Sequence, residues 1–214
     1  MKDEKQAIRK IIVPILEDQY FVKTSVRLDR MHQKLKTEGL LSPEEISVKH
    51  PFHPDIDVFF WSKKYSGEPK IYASEVKYFR LKNGTVYPNI YEGLGEAMML
   101  LTFGFDYVSL WHLFDPEIPS ETVSRYRDLT QNLVSVAYSP INYSSWLLPE
   151  IPKEPDTQKP TDYHERWSKA IQETATKILF LSSLNTLKNI PLLDRWDTKI
   201  IRSIIKKGYR IINK

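Results

Sequence analysis

The sequence predicts an α/β fold with a mixed central sheet flanked by helices, and three observations carry that prediction. Two runs rich in β-branched and aromatic residues, at 54–60 and 71–79, are joined by a link with turn-forming residues at its middle. A helical pattern follows over residues 90–101. Residues 106–114 are then apolar at nearly every position, which is typical of a strand buried on both faces. Strand, crossover helix and buried strand together predict a right-handed βαβ unit.

The segment before the hairpin is predicted to be mostly helical. Apolar residues recur at intervals of three and four over residues 2–21, and Pro14 should kink this first helix or mark a break near it. A second helix is predicted over residues 22–40, ending at Gly39. A short strand is predicted over residues 46–49, directly before the hairpin.

The helix after the hairpin begins at Asn89 and ends near Gly104. Glycine is unfavourable inside a helix, so Gly93 and Gly95 indicate close packing of the backbone there. Glu92 and Glu96 lie one turn apart. They either extend an acidic site or belong to a solvated face, and the solvated face is favoured.

A proline-rich connector divides the later part of the chain. Residues 120–129 are predicted as a helix and residues 133–138 as a strand, which would complete a core domain over residues 1–148. Residues 149–161 hold four prolines among polar residues and are predicted to be an extended connector. Residues 162–214 should form a helical extension packed on the core, with a capping box at Asp162 and Glu165 and a final helix over 194–207.

Composition narrows the class of protein. The 214 residues are 41% hydrophobic and include no cysteine, which excludes disulfides, zinc–thiolate sites and thiol catalysis. No run of eighteen apolar residues occurs and the first residues lack the apolar segment of a signal peptide. No membrane association and a cytoplasmic location are therefore expected. The net charge of +4 permits binding to nucleic acid.

The spacing of the acidic residues in the hairpin predicts that two of them face each other. Asp57 and Glu75 each lie nine residues from Ser66, so a chain that folds back at Ser66 makes them direct cross-strand partners. Side chains alternate along a strand, so Glu75 and Lys77 share one face. Opposed side chains lie roughly 4.5–5.5 Å apart at Cβ. Two carboxylates that close repel each other unless a cation or a proton lies between them.

A divalent cation with oxygen ligands satisfies this arrangement. Mg²⁺ takes few carboxylates and keeps several waters, and Mn²⁺ can replace it. We expect Asp57, Glu75 and the main-chain carbonyl of Val76 to bind the ion. A metal-bound water would attack a phosphodiester, and Lys77 would orient that water or stabilise the developing negative charge.

These residues resemble a known family. Pro54-Asp55, Asp57 and Glu75-Val76-Lys77 are similar to the motif of the PD-(D/E)xK nuclease superfamily, and the resemblance spans roughly residues 4–114. It implies a restriction-endonuclease-like core ordered helix, strand, hairpin, helix, strand. It also implies a magnesium-dependent nuclease whose catalytic residues are Asp57, Glu75 and Lys77. Asp55 is the alternative metal-binding aspartate, and Glu17 is the nearest match to the glutamate that family members often add from the first helix.

The resemblance leaves the biological partner open. DNA is the expected substrate and RNA is an alternative, while cleavage of both strands would favour a homodimer. A different function is a non-catalytic nucleic-acid-binding or assembly protein that keeps the nuclease fold.

The end of the chain and the histidines supply further candidates. Residues 195–214 contain seven basic residues and one acid, so the final helix either contacts phosphates or is an ordinary amphipathic surface helix. His53 is a candidate phosphate contact, or it joins His50, Asp55 and Asp57 in a transition-metal site. His112 falls in the buried strand and is predicted to be a hydrogen-bonded core histidine. The basic candidates on the final helix are Lys199, Arg202, Lys206, Lys207 and Arg210.

Overall fold

The computed structural model describes residues 3–48, 55–63, 70–136, 141–148, 169 and 196–212. The predicted connector, the helix expected to begin at Asp162, His50 and His53 lie outside the described residues. Among the residues that are described, no helix combines the length and apolar character needed to cross a membrane.

The first helical segment forms where the sequence predicts it. It consists of α1 (Glu4–Ala7), a π-helical turn (Ile8–Ile12) and α2 (Val13–Glu17). Asp3 begins the segment, since its side chain accepts a hydrogen bond from the Gln6 N–H at 2.8 Å. The π-helical turn ends two residues before Pro14, which lies in the first turn of α2, where a missing N–H is tolerated.

Two predictions between this segment and the hairpin are wrong. Residues 22–27 belong to strand β1 (Tyr20–Arg27), and the helix is limited to α3 (Leu28–Thr37), which is followed by Gly39 at a φ of 68°. Exposed and less exposed side chains alternate along β1, and that period of two belongs to a strand. Residues 46–47 lie in α4 (Pro43–Ser47) instead of a strand, because Ser42 and Glu45 form a capping box.

In the part of the chain that the structure describes, the sheet is mixed and has six strands. Besides β1 it contains β2 (Asp55–Ser62), β3 (Ile71–Lys82), β4 (Thr85–Tyr87), β5 (Tyr107–Phe114) and β6 (Ile141–Leu147). The order is β1-β2-β3-β5-β6, with β4 paired to β3 alone. The pairs β1–β2, β2–β3 and β3–β4 are antiparallel, whereas β3–β5 and β5–β6 are parallel. The predicted α/β class with a mixed sheet flanked by helices is therefore confirmed.

Helices after β4 complete the fold. The predicted helix after the hairpin is α5 (Ile90–Thr102), capped by Asn89. Residues 133–136 are not a strand but the end of α6 (Ser120–Val136), where the buried Thr130 and Val134 follow each other at helical spacing. The next strand is β6. The final helix, α7, runs over Trp196–Ile212.

Two apolar layers cover the sheet. On one face the first helical segment packs on β2, β3 and β5. On the other face α3, α5 and α7 pack together against the same strands. The α7 side chains buried in that second layer are Ile200, Ile201, Ile204 and Ile205.

Polar contacts fix α7 in place. Arg202 donates to the Gly104 carbonyl at 2.6 Å and also pairs with Asp106. Lys207 and Ser203 donate to the buried Glu45 carboxylate at 2.5 and 2.7 Å. These contacts join α7 to α4 and to the loop before β5.

Helix α7 also approaches α3 closely at Gly208. A methyl group at this position would lie 2.0 Å from the Met31 sulfur. Gly208→Ala should therefore lower the free energy of unfolding by about 1–3 kcal/mol through overpacking, as measured by urea denaturation.

Gly95→Ala is the matched control, because Gly95 is also helical but has no heavy atom within 4 Å of an added methyl group. It should stabilise the protein by up to about 1 kcal/mol through helix propensity. Equal effects of the two substitutions would show that α7 does not pack on α3 as described.

Candidate active site

The register of the hairpin brings Asp57 and Glu75 together. The β2–β3 ladder pairs Phe60 with Tyr72 and ends with the pair of Val58 and Ser74, and Asp57 and Glu75 are the next residues on the two strands. The register predicted from Ser66 is therefore confirmed. The two carboxyl groups are also joined by a hydrogen bond.

One edge of β3 is left open at this point. The carbonyls of Ile71 and Phe79 accept hydrogen bonds from the N–H groups of Asp106 and Asp115, so odd-numbered residues of β3 direct their main-chain groups to β5. Main-chain direction alternates along a strand, so even-numbered residues face the opposite edge. On that edge β2 pairs as far as Ser74, and β4 pairs from Arg80 onward across a two-residue turn. We call residues 75–79 of this edge, between β2 and β4, the edge gap.

Carboxylates replace the missing strand in the edge gap. Asp57 Oδ2 accepts a hydrogen bond from the Val76 N–H at 2.9 Å, and the Glu4 carboxylate accepts one from the Tyr78 N–H. The N–H and C=O of one strand residue point the same way, so the Val76 carbonyl also faces the edge gap. Main-chain groups and acids thus converge on one notch in the sheet.

The other side of Asp57 is irregular as well. The β1–β2 ladder pairs Thr24 with Val58 and Val26 with Ile56, but it omits Ser25 and Asp57. Ser25 has a φ of 52°, in the left-handed region that few residues other than glycine adopt. Neither neighbouring strand therefore pairs regularly with β2 at Asp57.

Lys77 lies among four carboxyl groups. Its Nζ is 2.6 Å from Glu75 Oε1, 2.7 Å from Glu96 Oε2 and 4.0 Å from Glu4 Oε2. We call Glu4, Asp57, Glu75 and Glu96 the carboxyl cluster. The side chain of Glu75 is only 3% exposed and that of Lys77 11%, so water screens their interaction poorly.

A glycine allows α5 to approach this lysine. A methyl group at Gly93 would lie 2.7 Å from Lys77 Cγ and 3.1 Å from Leu110 Cδ1. The close packing predicted for Gly93 is thus confirmed, whereas that predicted for Gly95 is wrong, because no heavy atom lies within 4 Å of a methyl group added there. It lets the aliphatic stem of Lys77 run beneath α5 toward Glu96.

Burial and mutual repulsion raise the pKa values of three members of the carboxyl cluster, Glu4, Asp57 and Glu75. Burial, followed by the charge of Asp57, raises the pKa of Glu75, and burial also raises the pKa of Asp57. Burial and Asp57 raise the pKa of Glu4 to about 7. Burial alone would lower the pKa of Lys77, but Glu75 and Glu96 outweigh it, so the net shift is upward and the ammonium stays charged.

Glu96 corrects one sequence-based interpretation. Its side chain is 51% exposed, as expected for a solvated face, but Glu96 also pairs with Lys77 and shares a hydrogen bond with Glu75, so it extends the acidic site as well. Those hydrogen bonds outweigh burial and lower the pKa of Glu96. Glu92, one turn earlier, is exposed.

Glu17 is a second correction. Its main-chain carbonyl accepts a hydrogen bond from Lys63, at the far end of β2. Six residues of extended strand separate Asp57 from Lys63, which is roughly 20 Å. The first helical segment contributes Glu4 to the carboxyl cluster instead. The N-cap residue Asp3 was a usable signal, since it fixes where the helix begins and puts Glu4 in its first turn.

The alternative aspartate has a different partner. Asp55 lies opposite Arg27 of β1, and its carboxylate is 3.7 Å from Arg27 Nε. The Asp55 side chain is 57% exposed, in contrast to the buried pair of Asp57 and Glu75. Of the four residues in the predicted transition-metal site, His50 and His53 lie outside the described residues and Asp55 faces Arg27. Only Asp57 is described at the edge gap.

The basic candidates on α7 are largely used within the protein. Arg202 and Lys207 bind Asp106 and Glu45, so their predicted role as phosphate contacts is replaced by a structural one. Lys199 is exposed and Lys206 partly exposed. The side chain of Arg210 lies outside the part of the chain that the structure describes.

His112 behaves as the sequence predicts. It is fully buried, and its Nδ1 lies 3.2 Å from the Tyr143 hydroxyl oxygen. Burial, together with the charge of Lys77, lowers the pKa of His112 to about 3. The imidazole is therefore a neutral core group beside the carboxyl cluster.

The donor set suits a hard cation. Within the described ranges no group of three or more His, Cys, Asp or Glu side chains is placed to hold a metal ion. Two carboxylates, of Asp57 and Glu75, and one carbonyl, of Val76, do converge on the edge gap. This set contains only oxygen and is small, which matches the preference of Mg²⁺ for few protein ligands and several waters.

Comparisons with known proteins give no match for this chain, whether with family models, with curated proteins or with solved structures.

The raised pKa of Glu4 has a consequence for stability. A carboxyl group that holds its proton more tightly when folded contributes stability below its unfolded pKa of 4.5, and loses it as the pH rises through about 7. Glu4→Gln cannot ionise. The variant should therefore gain stability relative to the unmodified protein over this pH range, as measured by urea denaturation at several pH values.

Glu17→Gln is the control for this prediction, because Glu17 belongs to the same helical segment but lies far from the carboxyl cluster. Its difference from the unmodified protein measures the general effect of removing a glutamate from this segment, and the change with pH for Glu4→Gln is read against it. A constant difference for Glu4→Gln would mean that Glu4 is not held against Asp57.

Proposed function

We propose that this chain is a metal-dependent nuclease of the PD-(D/E)xK type that hydrolyses DNA phosphodiester bonds. One observation carries the proposal: Asp57 and Glu75 meet across the hairpin at the edge gap, with the Lys77 ammonium on the Glu75 carboxyl. Charged groups of this kind are expensive to bury, and their concentration at one notch favours a chemical role.

The order of the elements supports the same function. The first helical segment, β1, the β2–β3 hairpin, α5 and β5 follow one another in the chain. This is the order helix, strand, hairpin, helix, strand that a restriction-endonuclease-like core requires. In this order β1 takes the place of the strand that the resemblance puts before the hairpin.

Each residue of the site has a distinct role in this proposal. Asp57, Glu75 and the Val76 carbonyl would hold Mg²⁺ or Mn²⁺. When bound, the ion supplies a water of lowered pKa and neutralises phosphate charge. Lys77 keeps its proton and donates hydrogen bonds to an oxygen of the scissile phosphate as negative charge develops. Glu96 positions Lys77 from the α5 side.

A non-catalytic nucleic-acid-binding protein is the competing function. Such a scaffold gains nothing from two buried carboxyl groups that repel each other. We therefore regard the carboxyl cluster as favouring catalysis, and the experiment below separates the two functions.

The test is incubation with supercoiled plasmid and with single-stranded DNA in Mg²⁺, in Mn²⁺ and in EDTA. We expect cleavage only with metal. Asp57→Asn, Glu75→Gln and Lys77→Met should each reduce the rate by roughly 10²–10⁴-fold while the variants remain folded by circular dichroism.

Asp55→Asn is the matched control on the same strand, and it should retain activity because Asp55 faces Arg27. Full activity in all three site variants would refute the assignment. Binding without cleavage under every metal would identify the non-catalytic protein.

Lys77 also depends on the glycine above it. Gly93→Ala should displace the Lys77 side chain, since the added methyl would lie 2.7 Å from its Cγ, and should lower the cleavage rate by up to about a hundredfold. Gly95→Ala has no neighbour to displace and should cleave normally. If both variants cleave at the unmodified rate, Lys77 does not act from the position described.

A further inference from the structure

The β3–β4 hairpin projects beyond the edge gap. Strand β3 continues five residues past Lys77, which is about 17 Å, before it turns. Asn83 and Gly84 form the turn with φ values of 53° and 74°. A two-residue turn with both φ values positive matches the twist of the strands it joins, so the hairpin is well defined. It forms the wall of the edge gap opposite β2.

The two faces of this hairpin differ. On one face, Val86 packs against a buried cluster that includes Phe79 and Phe114. On the other face, Arg80 lies directly opposite Tyr87, and Lys82 Nζ lies 5.5 Å from the centre of the Tyr87 ring. One face therefore anchors the hairpin, and the other presents two cations around an aromatic ring.

Aromatic surface is exposed on both sides of the turn into α5. The side chain of Tyr87 is 49% exposed and that of Tyr91, at the start of α5, is 58% exposed. Lys82 is exposed and forms no ion pair with any described residue. Exposed rings beside a cation with no acidic partner are suited to a ligand that has both negative charge and flat apolar faces.

We propose that the β3–β4 hairpin and the start of α5 bind an unpaired nucleic-acid strand, with bases stacked on Tyr87 and Tyr91 and a phosphate held by Lys82. This inference rests on the proposed nuclease function, since it names the substrate form that the edge gap receives. An unpaired strand offers both faces of its bases for stacking, whereas a duplex covers them. The lysine supplies the sequence-independent attraction to phosphate.

The proposal is tested by fluorescence anisotropy in EDTA, so that binding is read without cleavage. The probes are a labelled oligothymidylate, a labelled oligouridylate of the same length and a labelled DNA duplex. We expect the single strands to bind more tightly than the duplex. Tyr87→Ala and Tyr91→Ala should each weaken single-strand binding on the order of tenfold.

Lys82→Ala should weaken binding and also reduce the slope of log affinity against log salt by about one. Tyr87→Phe keeps the ring and should bind like the unmodified protein, and Tyr91→Ala provides a second test if Tyr87→Ala misfolds. The matched control is the Phe21 and Lys63 pair, where Lys63 Nζ lies 5.6 Å from an exposed Phe21 ring at the far end of the sheet. Phe21→Ala and Lys63→Ala should leave binding unchanged.

The outcomes separate this inference from the proposed function. Tighter binding to the duplex, no binding of single strands, or equal loss in the control pair would overturn the inference while leaving metal-dependent cleavage to stand. Single-strand binding that depends on Tyr87, Tyr91 and Lys82 supports the inference even if no metal allows cleavage. A difference between oligothymidylate and oligouridylate would then show which nucleic acid is preferred.

Discussion

The close contact between the Lys77 ammonium and the Glu75 carboxyl group is the interaction on which the candidate site depends. Four carboxyl groups approach one another closely at the edge gap, and their repulsion would open the sheet if no cation stood among them. The ammonium of Lys77 lies within hydrogen-bonding distance of Glu75 and Glu96. The pKa values of Glu75 and Glu4 are raised, and the protons that these groups keep reduce the remaining repulsion among the carboxyl groups. The site is thus stable while its carboxyl groups are partly neutralised by protons. A bound divalent ion would replace those protons and neutralise the same groups.

The position of the site follows from an interruption in hydrogen bonding. A strand in the middle of a sheet normally has both edges paired, and β3 does so except in the edge gap. Asp57 and Glu4 satisfy the N–H groups of Val76 and Tyr78 there. The same side chains that complete the sheet are therefore those available for chemistry, so stability and function are linked at one place.

The sequence predicts the hairpin and its surroundings well because local signals act there without competition. The turn-forming residues near Ser66 in the sequence predict the β2–β3 register, and the apolar run of β5 predicts a buried strand. Predictions failed where a tertiary contact decides the outcome. Glu96 looks like a surface residue on the α5 helix, and only the approach at Gly93 reveals that Lys77 reaches it.

The remaining errors come from patterns that fit two periods. The sequence predicts a helix over residues 22–27, but this stretch contains β-branched residues and its side chains alternate in exposure, which marks a strand. The first helical segment contains two glutamates, Glu4 and Glu17. The resemblance favours Glu17 for the site, whereas Glu4 lies in the carboxyl cluster. The distance of Glu17 from Asp57 depends on the path of β1 and β2, which no local pattern encodes. Arg202 and Lys207 looked free for phosphates because their partners, Asp106 and Glu45, are remote in the sequence.

The docking of α7 has a kinetic implication. Lys207 and its partner Glu45 are 162 residues apart, and Arg202 lies 98 residues from Gly104. Contacts between such distant parts of a chain slow folding, because a long loop must close before they form. During synthesis, the apolar faces of α3 and α5 emerge from the ribosome long before the isoleucines that cover them. During this stage of synthesis the nascent protein exposes apolar surface on one face of the sheet and is prone to aggregate. A chaperone would be most useful at that stage.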